Sequence, residues 1–302
     1  MSQYPIHSMQ GIVTVLNTPF TSANTIDHDG LAAHVRYALE AGVAGFLVPA
    51  LAGETEALSA RERVAVVRTV LGTVEGAKPV IGCATAENDA ARIALAEQLS
   101  ALGCDGILAA IPFTDEAGYV ARVHALARVE MGFLMLQDWA PDGYGLPLPL
   151  IQRLFEEIPV FTGIKVETAG AGPKYTALLE AAGGRLHVSG GWAVTQMIEG
   201  LDRGVHAFMP TGLHHGYVEI YRRYASGDRA GAITRFRRLL PIIAFSNQAL
   251  GLSIRFFKGL LHRQGIYATP DVRPPIPPFD PYQERLADEL IELALEIEAW
   301  KR

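Results

Sequence analysis

A chain of 302 residues, 49% of them apolar, is long enough to bury a sizeable core in one large domain, and its mean hydropathy of +0.18 excludes intrinsic disorder. The net charge of −6 excludes a general nucleic-acid binder, which needs a basic surface to displace counterions from phosphates. The arginines Arg222, Arg223, Arg235, Arg237 and Arg238 fall at helical spacing and read as a solvated helix face.

The first ten residues are polar and lack the basic-then-apolar pattern of a secretory signal. The longest apolar stretch, 41–53, is too short to cross a bilayer and contains Gly and Pro, so no membrane partner is expected. Cys83 and Cys104 lie in apolar runs with no paired spacing, which predicts buried free thiols in a reducing cytoplasm.

Along the chain, short β-rich runs alternate with segments of helical periodicity. The predicted strands are 11–18, 45–50, 79–84, 106–111, 132–137, 161–166, 186–189 and 205–209. The segment 91–102 shows the helical pattern, with Ile93, Leu95, Ala96, Leu99 and Leu102 on overlapping turns. The junctions EAGVAGFLV, ALGCDGILA and DRGVHAFMP place Gly42, Gly103 and Gly204 where a helix ends in the left-handed conformation. Eight such units predict a (β/α)8 TIM barrel over 1–225, with a doubly wound open sheet as the competitor. The rest, 226–302, reads as a C-terminal helical extension packed on the barrel. It has helices over 230–250 and 253–264, an extended proline-rich connector TPDVRPPIPPFDP, and a last amphipathic helix from about Tyr282.

The residue that carries most chemical information is Lys165, in FTGIKVE. Of the five lysines, Lys78 opens a strand, Lys174 starts a helix and Lys301 is near the end, so these three are expected in solvent. Strand alternation puts Phe161, Gly163, Lys165 and Glu167 on one face, which should look into the barrel near its C-terminal mouth. Burial favours the neutral amine of a lysine, and a neutral amine attacks ketones. A purely structural ion pair with Glu167 accounts for the same pattern, and the spacing does not separate the two readings.

Other motifs are less specific. LAGETEAL, after the second strand, could offer its backbone N–H groups to a carboxylate or be an ordinary turn. ETAGAGPK could cradle a phosphate but lacks the Walker spacing. His214 and His215 follow the eighth strand and could reach the mouth, although loop histidines are usually solvated. No H-E-x-x-H, G-x-S-x-G or dinucleotide fingerprint occurs, so no metal and no cofactor are expected.

Taken in order, the motifs GIVTVLNTPF, LAGETEALSARER, GCATAENDAA, GIKVE, VSGGW, GVHAFMP, FFKGLLHRQG and VRPPIPPF give nearly the whole chain a resemblance to the dihydrodipicolinate synthase / N-acetylneuraminate lyase superfamily. The resemblance implies that Lys165 forms a Schiff base with a 2-keto acid, and that the protein is a homotetramer. It also exposes departures. The two substrate-binding threonines of that family fall at Leu51 and Ala52, while Gly53 and Glu54 remain. Its catalytic tyrosine falls at Gln137 and the second relay tyrosine near Thr114. The arginine expected after the fifth strand is missing from DWAPDGYG.

Carboxylate binding is therefore expected from loop amides near Gly53 and from the backbone near Val205 and His206, with Gly190 close by. Proton transfer needs a new agent: Glu167 first, then Asp138, Tyr144 or His214. Gln137 is expected against the substrate, and Asp138 should accept hydrogen bonds from a neutral or hydroxyl-bearing tail. These expectations describe a lyase, aldolase or dehydratase, acting on a small 2-keto or 2-keto-3-deoxy acid. A condensing or hydratase-aldolase activity on a bulkier aldehyde is the alternative suggested by Leu51, Phe113, Trp139 and Trp192, and a non-catalytic keto-acid-binding protein is another. Dihydrodipicolinate synthase activity itself is not expected, because its relay and its arginine are absent.

Overall fold

Each predicted apolar run forms a parallel strand. The computed structural model describes residues 5–300, apart from the side chains of Trp192 and Ala193. In chain order the first elements are β1 (Gly11–Val15), α1 (His28–Ala41), β2 (Gly45–Val48), α2 (Ala60–Val74), β3 (Val80–Cys83) and α3 (Asp89–Ala101). Next come β4 (Gly106–Ala110), α4 (Glu116–Leu126), β5 (Leu134–Ala140), α5 (Leu148–Glu157), β6 (Phe161–Thr168) and α6 (Ala171–Ala181). Then follow β7 (His187–Gly190), α7 (Met197–Asp202), β8 (Ala207–Phe208) and α8 (His214–Ala225). The chain ends with α9 (Arg229–Ser246), α10 (Leu250–Arg263) and α11 (Pro281–Glu298). The strands hydrogen-bond in sequence order and β8 returns to β1 through Gly11↔Ala207 and Ile12↔Phe208, which closes the barrel. The open sheet is thereby excluded.

Local chemistry sets the helix ends. Asp27, Asn88, Asp115 and Asp228 each accept a backbone N–H in the first turn of the helix that follows, and Ser59 with Glu62 forms a capping box. Gly42, Gly103 and Gly204 do have positive φ, at 88°, 102° and 87°. Strands β5 and β6 run past their predicted ends at 137 and 166. Their ladder continues from Gln137↔Lys165 to Ala140↔Thr168. Asp138, Trp139 and Thr168 look like loop residues locally, but each strand supplies the other with ladder partners.

The chain divides into two compact units, one formed by residues 1–13 and 78–209, the other by 14–77 and 210–302. The first holds β3 to β8. Its core is built from Ile107, Leu108, Leu136, Phe161, Ile164 and Val188, all fully buried. The second unit gathers α1, α2 and α8 to α11. Glu298 of α11 accepts from the Tyr37 hydroxyl of α1 at 2.6 Å and from the Gly216 amide of α8 at 3.1 Å, tying three helices together. The proline-rich connector is ordered by polar anchors, since Arg255 donates to the carbonyls of Pro277 and Ile276 and the Arg273 amide donates to Glu54.

Candidate active site

Alternation along β6 brings Lys165 and Glu167 to one face, and their side chains meet with Nζ 3.1 Å from Oε2, both buried. The β5–β6 register sets Gln137 opposite Lys165, and the Gln137 amide donates to the same Oε2 at 2.5 Å. One carboxylate oxygen thus receives an ammonium and an amide together. On the other side Ser189 stands opposite Lys165 and Gly190 opposite Val166. The backbone then crosses close by. A Cβ on Gly191 would lie 2.0 Å from Glu167 Oε1 and 2.5 Å from Lys165 Cε, so any larger residue would displace the ends of these two side chains. A buried amine beside a carboxylate can add to a ketone and exchange protons at the adduct.

A second buried pair joins β5 to α6. Lys174 was expected in solvent, yet its side chain is 1% exposed and its Nζ sits 2.5 Å from Asp138 Oδ2. The ammonium also donates to the carbonyls of Tyr144 and Leu146, and lies 4.4 Å from the Tyr144 ring centre. Position in a first helical turn does not say which face of the helix is covered, and here α6 turns Lys174 onto the loop after β5. Burial pushes the Asp138 carboxyl up and the Lys174 ammonium down, and their mutual attraction opposes both shifts. Asp138 Oδ1 meanwhile accepts the Leu146 amide at 2.8 Å. The carboxylate expected to receive substrate hydroxyls is therefore already engaged by protein groups.

A cavity of about 450 Å³ opens beside Gln137, with Thr85, Ile111, Phe113, Trp139 and Leu146 among its walls. Thr114, at the position of the second relay tyrosine, is exposed and donates to Asp115 at 3.3 Å. His206 has its amide on the Val188 carbonyl at 3.0 Å and its carbonyl on the Gly11 amide at 2.9 Å. The Val205 amide is on the Gly200 carbonyl at 3.0 Å. These backbone groups, proposed from the sequence for a carboxylate, serve the sheet ladder and its approach. The side chain of Trp192, proposed for the mouth, lies outside the described residues.

The remaining predicted positions belong to the second unit. Leu51, Ala52 and Gly53 form one 3-10 turn, and Thr55–Ala57 forms the next. The Ala52 and Gly53 carbonyls accept from Asn17 and Thr18 at 2.7 Å each. Glu54, between the turns at φ 58°, has Oε1 2.7 Å from Lys258 Nζ, and its Oε2 accepts the Arg273 amide at 2.7 Å. Lys258 is fully buried, and burial brings its ammonium down to about 8 against the attraction of Glu54.

His214 is no loop residue in solvent. It opens α8 as a buried ring, with Nε2 2.7 Å from His34 Nε2 and Nδ1 3.1 Å from the Thr14 hydroxyl. His34 Nδ1 lies 2.7 Å from the Tyr267 hydroxyl, which donates to the Asn17 carbonyl at 2.9 Å. Burial takes His34 down to about 3 and His214 well below the usual histidine range, so both rings are neutral at pH 7. The chain of bonds then has one direction. Tyr267 accepts from His34 Nδ1–H, His34 Nε2 accepts from His214 Nε2–H, and His214 Nδ1 accepts from Thr14.

Lys174, Lys258, His34 and Tyr267 are the polar residues that sequence reasoning missed. The one available signal was the scarcity of lysine, which makes every lysine outside a terminus a candidate for burial. Among the described residues no group of three or more His, Cys, Asp or Glu could hold a metal ion, and no helix is long and apolar enough to cross a membrane. Both cysteines are buried free thiols, and burial pushes Cys104 up to about 12.

The chain is 27% identical over 292 residues to an L-2-keto-3-deoxyarabonate dehydratase of Azospirillum brasilense, covering 93% of this chain and 92% of that one. It is 27% identical over 249 residues to a 4-hydroxy-tetrahydrodipicolinate synthase of Nitratidesulfovibrio vulgaris, covering 80% and 83% respectively. A prophage protein of the dihydrodipicolinic acid synthase family from E. coli K12, solved in complex with pyruvate, superposes with a TM-score of 0.86 at 24% identity, over 95% of this chain and 99% of that one. A family model matches residues 8–293, and the chain belongs to the dihydrodipicolinate synthetase family.

Proposed function

We propose that the protein cleaves or dehydrates a small 2-keto or 2-keto-3-deoxy acid through a Schiff base on Lys165. The protein is a lyase of the class I aldolase type. The observation that supports the reading is the Lys165–Glu167 pair, a buried amine with its carboxylate partner 3.1 Å away. Lys165 adds to the C2 carbonyl and water leaves. The resulting iminium takes up the electron pair as C3–C4 breaks, or a proton leaves C3 and the enamine expels a hydroxyl from C4. Glu167 is the group placed to take and return that proton, held by the Gln137 amide.

Synthesis of a dihydrodipicolinate precursor fits the site poorly. Gln137 spends its amide on Glu167, and Leu51 cannot relay a proton. Lys174, the cation brought to the loop after β5, is spent on Asp138. The named activity of the Azospirillum relative, a dehydratase of a 2-keto-3-deoxy acid, supports the lyase reading instead. A homotetramer in the cytoplasm is the assembly and place that the family resemblance favours, and light scattering tests the first.

The decisive experiment is reduction with borohydride in the presence of pyruvate. A reduced adduct should appear on the peptide containing Lys165 and vanish in Lys165→Arg, since a guanidinium stays protonated. An adduct on Lys174 or Lys258 instead would reject the assignment. Turnover of a panel of 2-keto-3-deoxy acids then separates an active lyase from a keto-acid-binding relative.

A further inference from the structure

We infer that Ser189 is a positioning residue for Lys165: its hydroxyl, turned by His187 so that lone pairs face the amine, accepts one N–H of the neutral amine and aims the nitrogen lone pair at the substrate carbonyl. This rests on the Lys165 imine and adds a residue to that site. Register joins the two residues. Ser189 stands opposite Lys165 on the neighbouring parallel strand, so both side chains leave the sheet on the same face. Lys165 leans toward that strand, because a Cβ on Gly191, two positions beyond Ser189, would lie 2.5 Å from Lys165 Cε. One step below, Gly163 stands opposite both Met135 and His187. The space over Gly163 is filled, since a Cβ there would lie 2.4 Å from Ile6 Cδ1 and 3.0 Å from Met135 Cε. Ser189 and His187 are thus a fully buried polar pair beside an apolar floor of Ile6 and Met135.

The hydrogen bonds of this pair run in one direction. His187 Nε2 lies 2.8 Å from the Met9 carbonyl, which can only accept, so Nε2 carries a hydrogen. Burial brings the ring down to about 3 against the pull of that carbonyl, and His206 and His7 beside it also oppose a charge. The His206 ring is stacked on it with centres 4.9 Å apart. His187 is therefore neutral at pH 7, and a neutral ring with Nε2–H has a bare Nδ1. That nitrogen accepts the Ser189 hydroxyl at 3.2 Å. The hydroxyl hydrogen is spent there, so toward any further neighbour Ser189 Oγ acts as an acceptor.

An acceptor at this place serves the step in which the amine leaves its carboxylate. The Lys165 ammonium passes one proton to Glu167, 3.1 Å away, and keeps two N–H bonds and a lone pair. Ser189 Oγ takes one N–H, which satisfies a buried donor and fixes where the lone pair points. The amine adds to C2, its other N–H proton moves to the new oxygen, and Glu167 returns its proton to that hydroxyl. Water leaves, and the iminium keeps the N–H that Ser189 holds. Ser189 itself neither gains nor loses an atom.

The test quenches mixtures of the full chain and pyruvate into borohydride at timed intervals and reads the rate at which the Lys165 adduct forms. Ser189→Ala should lower the limiting rate roughly tenfold, the worth of one hydrogen bond, and change the half-saturating pyruvate concentration less than about twofold. Two changes at His187 separate orientation from support. In His187→Asn the side-chain oxygen stands in for Nδ1 and still accepts from Ser189, so the rate should be largely kept. In His187→Gln the amide nitrogen stands in for Nε2 and keeps the Met9 bond while Ser189 loses its acceptor, so the rate should fall as far as in Ser189→Ala. An Asn variant as slow as the Gln variant, or slower, makes His187 a tie to the barrel floor and overturns the inference. Adduct formation on Lys165 at a rate unmoved by Ser189→Ala overturns it too and leaves the imine standing. Nitrogen NMR of the unsubstituted chain adds a check that depends on no variant folding. It should show His187 with a bare Nδ1 and a protonated Nε2 at pH 7, and the opposite tautomer or an imidazolium overturns the inference. Absence of any Lys165 adduct in the unsubstituted chain overturns both readings.

Discussion

Glu298→Gln should remove a pH dependence from the stability of this chain, and the structure fixes its sign. The carboxylate sits in α11, almost wholly buried, between the Tyr37 hydroxyl and the Gly216 amide at the start of α8. Those donors and the amides of His214 and His215 favour the charged form, as any helix N-terminus favours an anion. Burial outweighs them and raises the carboxyl from its ordinary 4.5 to about 7. The native state therefore holds this proton more tightly than the unfolded chain does. Stability from the neutral carboxyl is fully present below about 4.5 and is lost as the pH rises through about 7. At about 1.4 kcal/mol per pH unit, that window amounts to about 3 kcal/mol. The glutamine amide stays neutral throughout, and its oxygen can accept from the same donors.

The assay is urea unfolding of both proteins, followed by tryptophan fluorescence between pH 4.5 and 8.5. The variant should gain about 3 kcal/mol relative to the parent across that range. His34 and His214 pull the other way, since their lowered values give stability that is lost as the pH falls below the usual histidine range. They are common to both proteins and cancel in the difference. A gap that stays within about 1 kcal/mol at every pH would show that the donors around Glu298 dominate its burial, and the reasoning above would be wrong.

Three further outcomes are expected. Glu167→Gln should retain imine trapping while turnover falls by roughly 10²–10⁴, the usual worth of general acid–base catalysis, whereas equal losses in both would reduce Glu167 to a partner that only holds Lys165 in place. Lys174→Met leaves the Asp138 carboxylate buried without its cation and should cost about 3–5 kcal/mol in urea unfolding, a loss that adding Asp138→Leu should largely restore; a cost below about 1 kcal/mol would mean water reaches the pair. Gly191→Ala places a Cβ against Glu167 Oε1 and Lys165 Cε and should slow pyruvate trapping on the order of 10²-fold with an unchanged circular dichroism spectrum, and normal trapping would show that the loop yields freely.

How far the sequence could be read depends on the range of the interaction. The meeting of Lys165 and Glu167 was legible because the two-residue period of a strand holds whatever packs around it. Helix ends at Gly42, Gly103 and Gly204 were legible because a left-handed residue is a local requirement. The extra length of β5 and β6 was not, because Asp138 and Thr168 become strand residues only when the neighbouring strand supplies the ladder. Nor was the His34–Tyr267 contact, which joins residues 233 positions apart and carries no local signature. Lys174 failed for a subtler reason. Its helix was evident, but the covered face of a first turn depends on the loop after β5, whose path the sequence does not specify.

Burial by itself does not pick out the lysine proposed to react, since Lys165, Lys174 and Lys258 are all buried. A nucleophilic amine must shed its proton and swing toward a carbonyl, so the grip of its neighbours matters more than its depth. Lys174 donates to the carbonyls of Tyr144 and Leu146 and pairs with Asp138, and a neutral amine there would leave the Asp138 charge uncompensated. Lys258 is held by Glu54 and lies 4.1 Å from the Phe20 ring centre, a cation site whose attraction vanishes with the charge. Its lowered value reflects burial within an ion-pair network, which perturbs structural lysines as readily as catalytic ones. Lys165 differs in the oxygen it meets. The Glu167 Oε2 at 3.1 Å also receives the Gln137 amide at 2.5 Å, a donor that would stay with the carboxylate were the lysine to turn away to form the proposed imine. The tyrosine-to-glutamine departure at this position thus removes a relay hydroxyl and supplies an amide that steadies the carboxylate proposed to replace it.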